Sequence, residues 1–297
     1  LILYENLVIV NASDESEALV GLDKTTGKEV WREEAANLSS TWATPILIAC
    51  EDGKELVVAV PGEIWGLNPE NGRLNWFAEG FEGRAACPSL VAGDGVVYCA
   101  GANPSGDAYA VRTGGKGDVT ESHVLWTVRG FTRISTPVLH QGHLYGANGG
   151  VAYCINAKTG EQVYRTRLAT GEAAGEEPRG FGRSRGAGGP PGGQAQGAPG
   201  RGGPPGGPTR GPGGGRGGRS RGGMGGADYG SAVLADGKVY LLTTAGLTYV
   251  LEAKPEFTLL AKNQLDSDQS GFNSTPAIAD GELFLRSNKY LYCVSAR

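Results

Sequence analysis

Residues with the types and spacing for catalysis are few in this chain and poorly grouped. His140-Gln141-Gly142-His143 has a spacing that could chelate a metal, but the pair sits on a tight turn without further nearby ligands. Two solvent-facing turn histidines are expected there. Gly114-Gly115-Lys116-Gly117 is glycine-rich, yet it lacks the Gly-Lys-Ser/Thr ending and the following helix of a phosphate loop. No Gly-x-Ser-x-Gly elbow occurs. The five cysteines form no Cys-x-x-Cys pair and so no disulfide or zinc framework. Cys154 and Cys293 fall in the register of Gly21, Gly66, Ala110 and Val250, which reads them as small buried apolar residues. These absences argue against a metal, phosphate-loop or serine-hydrolase site and turn attention to the scaffold.

That scaffold is periodic. Gly21 to Trp31, GLDKTTGKEVW, reads as two short strands joined by a turn, with Gly27 where φ must be positive. A copy runs from Gly66 to Trp76, and another from Cys154 through Thr159-Gly160 to Tyr164. In each, the polar residue heading the turn precedes the aromatic by eight positions. A copy from Glu252 to Leu260 keeps the offset and loses both the glycine and the ring, whereas one from Arg112 to Trp126 stretches the offset to 14. The aromatic anchors Trp31, Trp76, Trp126 and Tyr164 are 45, 50 and 38 residues apart. That spacing fits the roughly 40–50 residues of one four-stranded propeller blade. Units open on a proline near Ser or Thr (Thr44-Pro45, Pro88-Ser89, Thr136-Pro137, Thr275-Pro276), and most turn at Asp-Gly, a strong hairpin signal. No stretch has helical periodicity with caps.

The sequence therefore predicts an all-β fold, a β-propeller of four-stranded blades: five nearly complete blades and three strands of a sixth, from a parent of seven or eight. Leu1 aligns inside the first strand of a unit, so the chain reads as a fragment of one propeller domain, 1–297, whose ends leave exposed strand edges. A signal peptide is not visible at such a start. No apolar run reaches the roughly 18 residues of a membrane span. Glycine is abundant, 51 of 297 residues, and much of it lies in a Gly/Arg/Pro-rich insertion at 170–227. Residues 178–227 carry eight arginines and no acid, so the rest of the chain holds −12 of a net −4. Such a segment cannot bury enough apolar surface to offset its ordering entropy, and it is expected to be disordered. It resembles RNA-binding Arg-Gly segments, but Phe181 is its only aromatic for stacking. Weak RNA binding is the lesser alternative, and nucleic acid is not expected as a partner.

Ser/Thr-x-Pro, the Asp-Gly hairpin, aromatic-x-aliphatic-Asp/Asn, Thr-Gly and Trp together resemble the quinoprotein-type, or PQQ-like, β-propeller repeat. GLDKTTGKEVW is similar to its tryptophan-docking motif, in which each Trp packs between neighbouring blades. The likeness covers everything but the insertion and is closest to the non-catalytic envelope propellers of planctomycete-type bacteria, related to the lipoprotein that helps assemble outer-membrane proteins. It implies a periplasmic or cell-envelope scaffold that binds a protein or small-molecule ligand, with no cofactor. The alternative in the same fold is a quinone-dependent dehydrogenase holding pyrroloquinoline quinone (PQQ) and calcium. Those enzymes use a vicinal disulfide, and this chain has no Cys-Cys pair.

In a propeller, the links between blades and those between the two middle strands lie on one face and ring the central channel. Loops on a rigid scaffold carry function, which makes that face the expected binding surface. Its inter-blade loops offer Trp42, Arg84, Arg133, Tyr229 and Asn273, and its mid-blade loops offer Asn11, Asp14 and Asn148. Trp31, Trp76, Trp126 and Tyr164 are assigned to docking between blades. No catalytic residue and no metal ligand is assigned.

Overall fold

The computed structural model describes residues 1–50, 53–79, 85–100, 106–132, 134–168 and 229–295. The expected insertion at 170–227 lies outside the described residues, as do Arg84 and Arg133. All described residues belong to one compact unit, Leu1–Thr170 with Met224–Arg297.

This unit is a β-propeller of six sheets in chain order. Blade 1 pairs Ile2–Tyr4, Leu7–Ala12, Ala18–Asp23 and Glu29–Glu34, each antiparallel to the next. Blade 2 repeats the pattern with Ile46–Cys50, Gly53–Val60, Glu63–Leu67 and Leu74–Glu79. Blades 3, 4 and 5 span residues 91–128, 138–167 and 233–264. Blade 6 has three strands, Ala277–Ala279, Glu282–Arg286 and Leu291–Val294. Among the described residues, helix is confined to Ser13–Ser16, Thr120–His123 and a 3₁₀ turn at Ala36–Leu38.

The turns explain the pairing. Asp94-Gly95, Gln141-Gly142, Asp236-Gly237 and Asp280-Gly281 have positive φ at both residues, the type I′ geometry whose twist matches a two-residue hairpin. In blades 1, 2 and 4 the turn before the outer strand is set by an acceptor side chain, Asp23, Asn68 or Asn156. Asp23 Oδ1 takes the backbone N–H of Thr25 and Thr26 at 3.0 and 2.7 Å, and Asn156 Oδ1 takes those of Lys158 and Thr159 at 3.0 and 3.1 Å. The hydrogen bonds from Thr26 hold the Asp23 carboxyl below the usual carboxylate range.

Alternate residues of the middle strands point to opposite neighbours, and this places the core between sheets. In blade 2, Leu56, Val58 and Val60 pack against blade 1, while Val57 and Ala59 pack against blade 3. In blade 3, Val97 and Cys99 turn back to blade 2, and Tyr98 and Ala100 go forward to blade 4. Both faces are buried, so these strands read as continuous apolar runs. The apolar clusters accordingly lie at the five successive blade boundaries.

Indoles tie those boundaries together. Trp31 stands opposite Gly21, is 7% exposed, and donates Nε1–H to the Pro69 carbonyl of blade 2 at 3.1 Å. Trp76 stands opposite Gly66 and is 0% exposed. Trp126, opposite Ala110, donates to the Ala157 carbonyl of blade 4 at 3.0 Å. Tyr164, opposite Cys154, meets Phe257 of blade 5 edge-on with ring centroids 5.5 Å apart.

The fourth copy departs from the expected register. Its turn closes with Glu252 N–H on the Thr258 carbonyl, one residue longer than Asp23 on Lys28, and the bulge shifts accordingly. Ala261, not Leu260, therefore stands opposite Val250, and Leu260 is exposed. Cys293 also departs: it is exposed because, among the described residues, no fourth strand covers its side of blade 6. Cys154 is fully buried.

A Cβ on Gly66 would sit 2.1 Å from Trp76 Cε2, an indole with no room to move. Gly66→Ala should cost about 1–3 kcal/mol. Gly146→Ala, whose Cβ would find its nearest neighbour at 3.5 Å, should change stability little. Thermal melts of the two variants check this.

Candidate functional site

Hydroxyls at the blade openings form a chain of hydrogen bonds from blade to blade. Thr44 N–H donates to Ser89 Oγ at 3.2 Å, Ser89 N–H to Thr136 Oγ1, Thr136 N–H to Ser231 Oγ and Ser231 N–H to Thr275 Oγ1, the last three at 3.0 Å each. Each link joins the start of one inner strand to the start of the next. Prolines beside Thr44, Ser89, Thr136 and Thr275, though not beside Ser231, mark the strand starts in the sequence. The recurrence of Ser or Thr beside them was the available signal for this girdle, whose partners only the three-dimensional structure supplies.

On the same side, Asn11 Nδ2 donates to the carbonyls of Thr41 and Ala43 at 2.8 and 2.9 Å, and Ser13 Oγ donates to Thr41 at 2.5 Å. The mid-blade loop of blade 1 is thereby tied to the link into blade 2. That link is fixed from its other side, where Trp42 and Ala43 donate their N–H groups to the Ala86 carbonyl at 2.8 and 2.9 Å. Ser40 takes a left-handed φ of 63° on the way, a conformation that costs a non-glycine residue about 1–3 kcal/mol. Trp42 emerges from the link 55% exposed, with Nε1–H donated to Asp14 Oδ2 at 2.5 Å.

Asn11, Asp14 and Trp42 thus come together around a pocket of 340 Å³, with Glu15 and Thr41 also in its wall. Thr41 is wholly buried, and its Oγ1 has no hydrogen-bond partner among the described residues. An indole face, two carboxylates and an unpaired hydroxyl suit a polar group presented against an aromatic surface. Asn11 acts mainly as a brace, with both amide hydrogens spent on backbone carbonyls. Asn148 ends the second strand of blade 4 beside its mid-blade turn, Tyr229 is exposed before blade 5 and Asn273 is exposed before blade 6; none lines this pocket.

Little else offers reactivity. Burial pushes the Cys99 thiol up to about 12 and the Cys154 thiol up to about 11, which keeps both protonated and inert. Cys293 is exposed, and its thiol is also raised, first by its hydrogen bond to Glu282. His140 and His143 pair across their type I′ turn, where His143 Nδ1 lies 2.9 Å from the Gln141 carbonyl. Among the described residues no group of three or more His, Cys, Asp or Glu is arranged to hold a metal ion. No helix among them is long and apolar enough to cross a membrane.

Four-stranded blades, interblade indoles and the Ser/Thr girdle define a propeller built from quinoprotein-type repeats. A family model described as outer membrane protein assembly factor BamB matches residues 1–166, and the chain belongs to that family. The crystal structure of BamB from Moraxella catarrhalis is similar at 12% identity, over 97% of this chain and 80% of that one, with a TM-score of 0.45. The computationally designed Ika8 protein is similar at 12% identity, over 99% and 82%, with a TM-score of 0.48. No curated relative matches the sequence.

The girdle carries a direct test. Thr136→Ala removes the acceptor for Ser89 N–H and should cost about 1 kcal/mol, whereas Thr136→Ser should restore most of it. Chemical denaturation of the two variants beside the parent measures the difference.

Proposed function

We propose that this chain is a non-enzymatic binding scaffold of the bacterial cell envelope, serving outer-membrane protein assembly through a protein partner or a small-molecule ligand held on the loop face. Family membership supports the envelope role. The observation that carries the location is Trp42, a large apolar ring left exposed yet pinned by Asp14 beside an unpaired buried hydroxyl. Exposed aromatics in fixed orientation are typical anchors of binding surfaces, because little side-chain entropy remains to be lost on docking.

Trp42→Ala and Asp14→Asn should leave stability within about 0.5 kcal/mol, as expected for surface substitutions, and should impair the scaffold in cells. The readouts are the abundance of outer-membrane β-barrel proteins and the yield of adducts from a photo-crosslinking residue at position 42, both in the full-length protein. Loss of abundance in the variants and a discrete adduct are expected. Variants that behave as the parent, together with no adduct, would contradict the placement. Adding pyrroloquinoline quinone and calcium to the full-length protein with an alcohol or sugar and an artificial electron acceptor should give no turnover.

A further inference from the structure

Among the described residues, a departure from the repeat lies on the opposite face, between blades 2 and 3. In blades 1, 4 and 5 the third strand ends on an acceptor, Asp23, Asn156 or Glu252, paired with the residue that closes the first hairpin. In blade 3 the residue in that register, paired with Val96, is Arg112. A guanidinium cannot accept the turn's N–H groups, and the chain runs on instead. Gly117–Asp118 adds a parallel fifth strand to blade 2 beside Trp76 and Phe77, and Val119 N–H follows onto the Phe77 carbonyl at 2.9 Å. The stretched copy is therefore a strap across the blade boundary.

Blade 2 departs as well. Its first hairpin continues past the Leu47–Leu56 pair through Glu55, Lys54 and Gly53, a longer projection than the two-residue hairpins of blades 3, 4 and 5. Between this projection and the strap lies a cavity of 860 Å³. At its wall the Glu55 carboxylate is buried and held by Trp76 Nε1–H at 3.1 and 3.2 Å and by Gly114 N–H at 3.1 Å. Lys54, Arg112 and Lys116 also line it, with Asp94 as the other carboxylate. Among the described residues these three cations enter no ion pair. With the rest of the chain outside the basic segment at −12, three unpaired cations around one cavity are a local reversal of charge.

We propose that this cavity binds a small polar molecule through a phosphate or carboxylate group held by Lys54, Arg112 and Lys116. Arg112 offers a bidentate fork, and the two lysines supply point charges around it. Three cations against the Glu55 and Asp94 carboxylates leave the lining one net positive charge, and Glu55 is already held by the Trp76 and Gly114 N–H groups, which leaves the cations to the ligand. The cavity has the volume of an ordinary small-molecule site, about 300–1,000 Å³.

The test titrates the full chain with glucose 6-phosphate, inorganic phosphate, glucuronate and glucose. It follows heat release and the indole N–H resonances, since the Trp76 N–H points at the cavity wall. At least one anionic probe is expected to bind and to shift the Trp76 resonance saturably, while glucose does neither. The phosphate and glucuronate arms show which acid group is preferred. Arg112→Gln with Lys116→Gln should weaken binding about tenfold or more, and Lys158→Gln, on blade 4, should not. Melting curves confirm that the variants fold; Lys54→Gln alone replaces the double variant should that one fail. No binding by any anionic probe, an unmoved Trp76 resonance, or equal weakening by Lys158→Gln overturns the proposal.

Discussion

A middle strand whose alternate residues face two different neighbours cannot be satisfied inside its own sheet. Leu56, Val58 and Val60 need blade 1, while Val57 and Ala59 need blade 3. This two-sided burial makes each blade dependent on the next, and the sheet-to-sheet contact becomes the unit of stability. The indole completes the contact. Trp31 lies flat over the bare backbone of Gly21, fills the space against Gly72 of the next blade, and hands its N–H to a carbonyl there. An exposed outer strand thus reaches across the boundary with one large side chain.

The same coupling gives the binding face its rigidity. Ser and Thr hydroxyls link consecutive inner strands, so loops that leave those strands start from fixed points. Asn11 and Ser13 then brace the link that carries Trp42. Loop side chains outside this girdle and its braces, such as Trp42, can vary without disturbing the blades, because the bonds that hold the blades run through the girdle hydroxyls, the backbone and the docked indoles. A scaffold of this kind acquires a partner by changing a few loop residues, and where one blade breaks the repeat, as at Arg112, a new cavity opens without loss of the fold.

Much of the architecture was legible in the sequence because it depends on local chemistry. Asp-Gly turns, Thr-Gly turns and an aromatic at a fixed offset each follow from one short segment, and together they count the blades. Long-range pairing was less legible. The offset that placed Leu260 at an anchor position counted residues, whereas the bulge counts ladder pairs, and one extra turn residue moves Ala261 into the place. Cys293 was read from its register alone, without the covering strand that would bury it. The meeting of Asn11, Asp14 and Trp42 came from topology, since propeller connectivity puts mid-blade and inter-blade loops on one face. Glu55 had no sequence signal as a partner of Trp76. Its role arises only because the strap gives Trp76 no next-blade carbonyl of the kind that Trp31 and Trp126 use.

A double-mutant cycle between Trp31 and Gly72 tests most directly whether interblade docking holds the structure. A Cβ on Gly72 would lie 2.4 Å from Trp31 Cε3, at a φ of 74°. Gly72→Ala therefore combines a backbone penalty with a steric clash, and Trp31→Ala removes the clash alone. Unfolding by denaturant should give an interaction energy of about 1 kcal/mol or more, within the range for residues in direct contact. Strict additivity of the two substitutions would contradict the docking of Trp31 on the neighbouring blade.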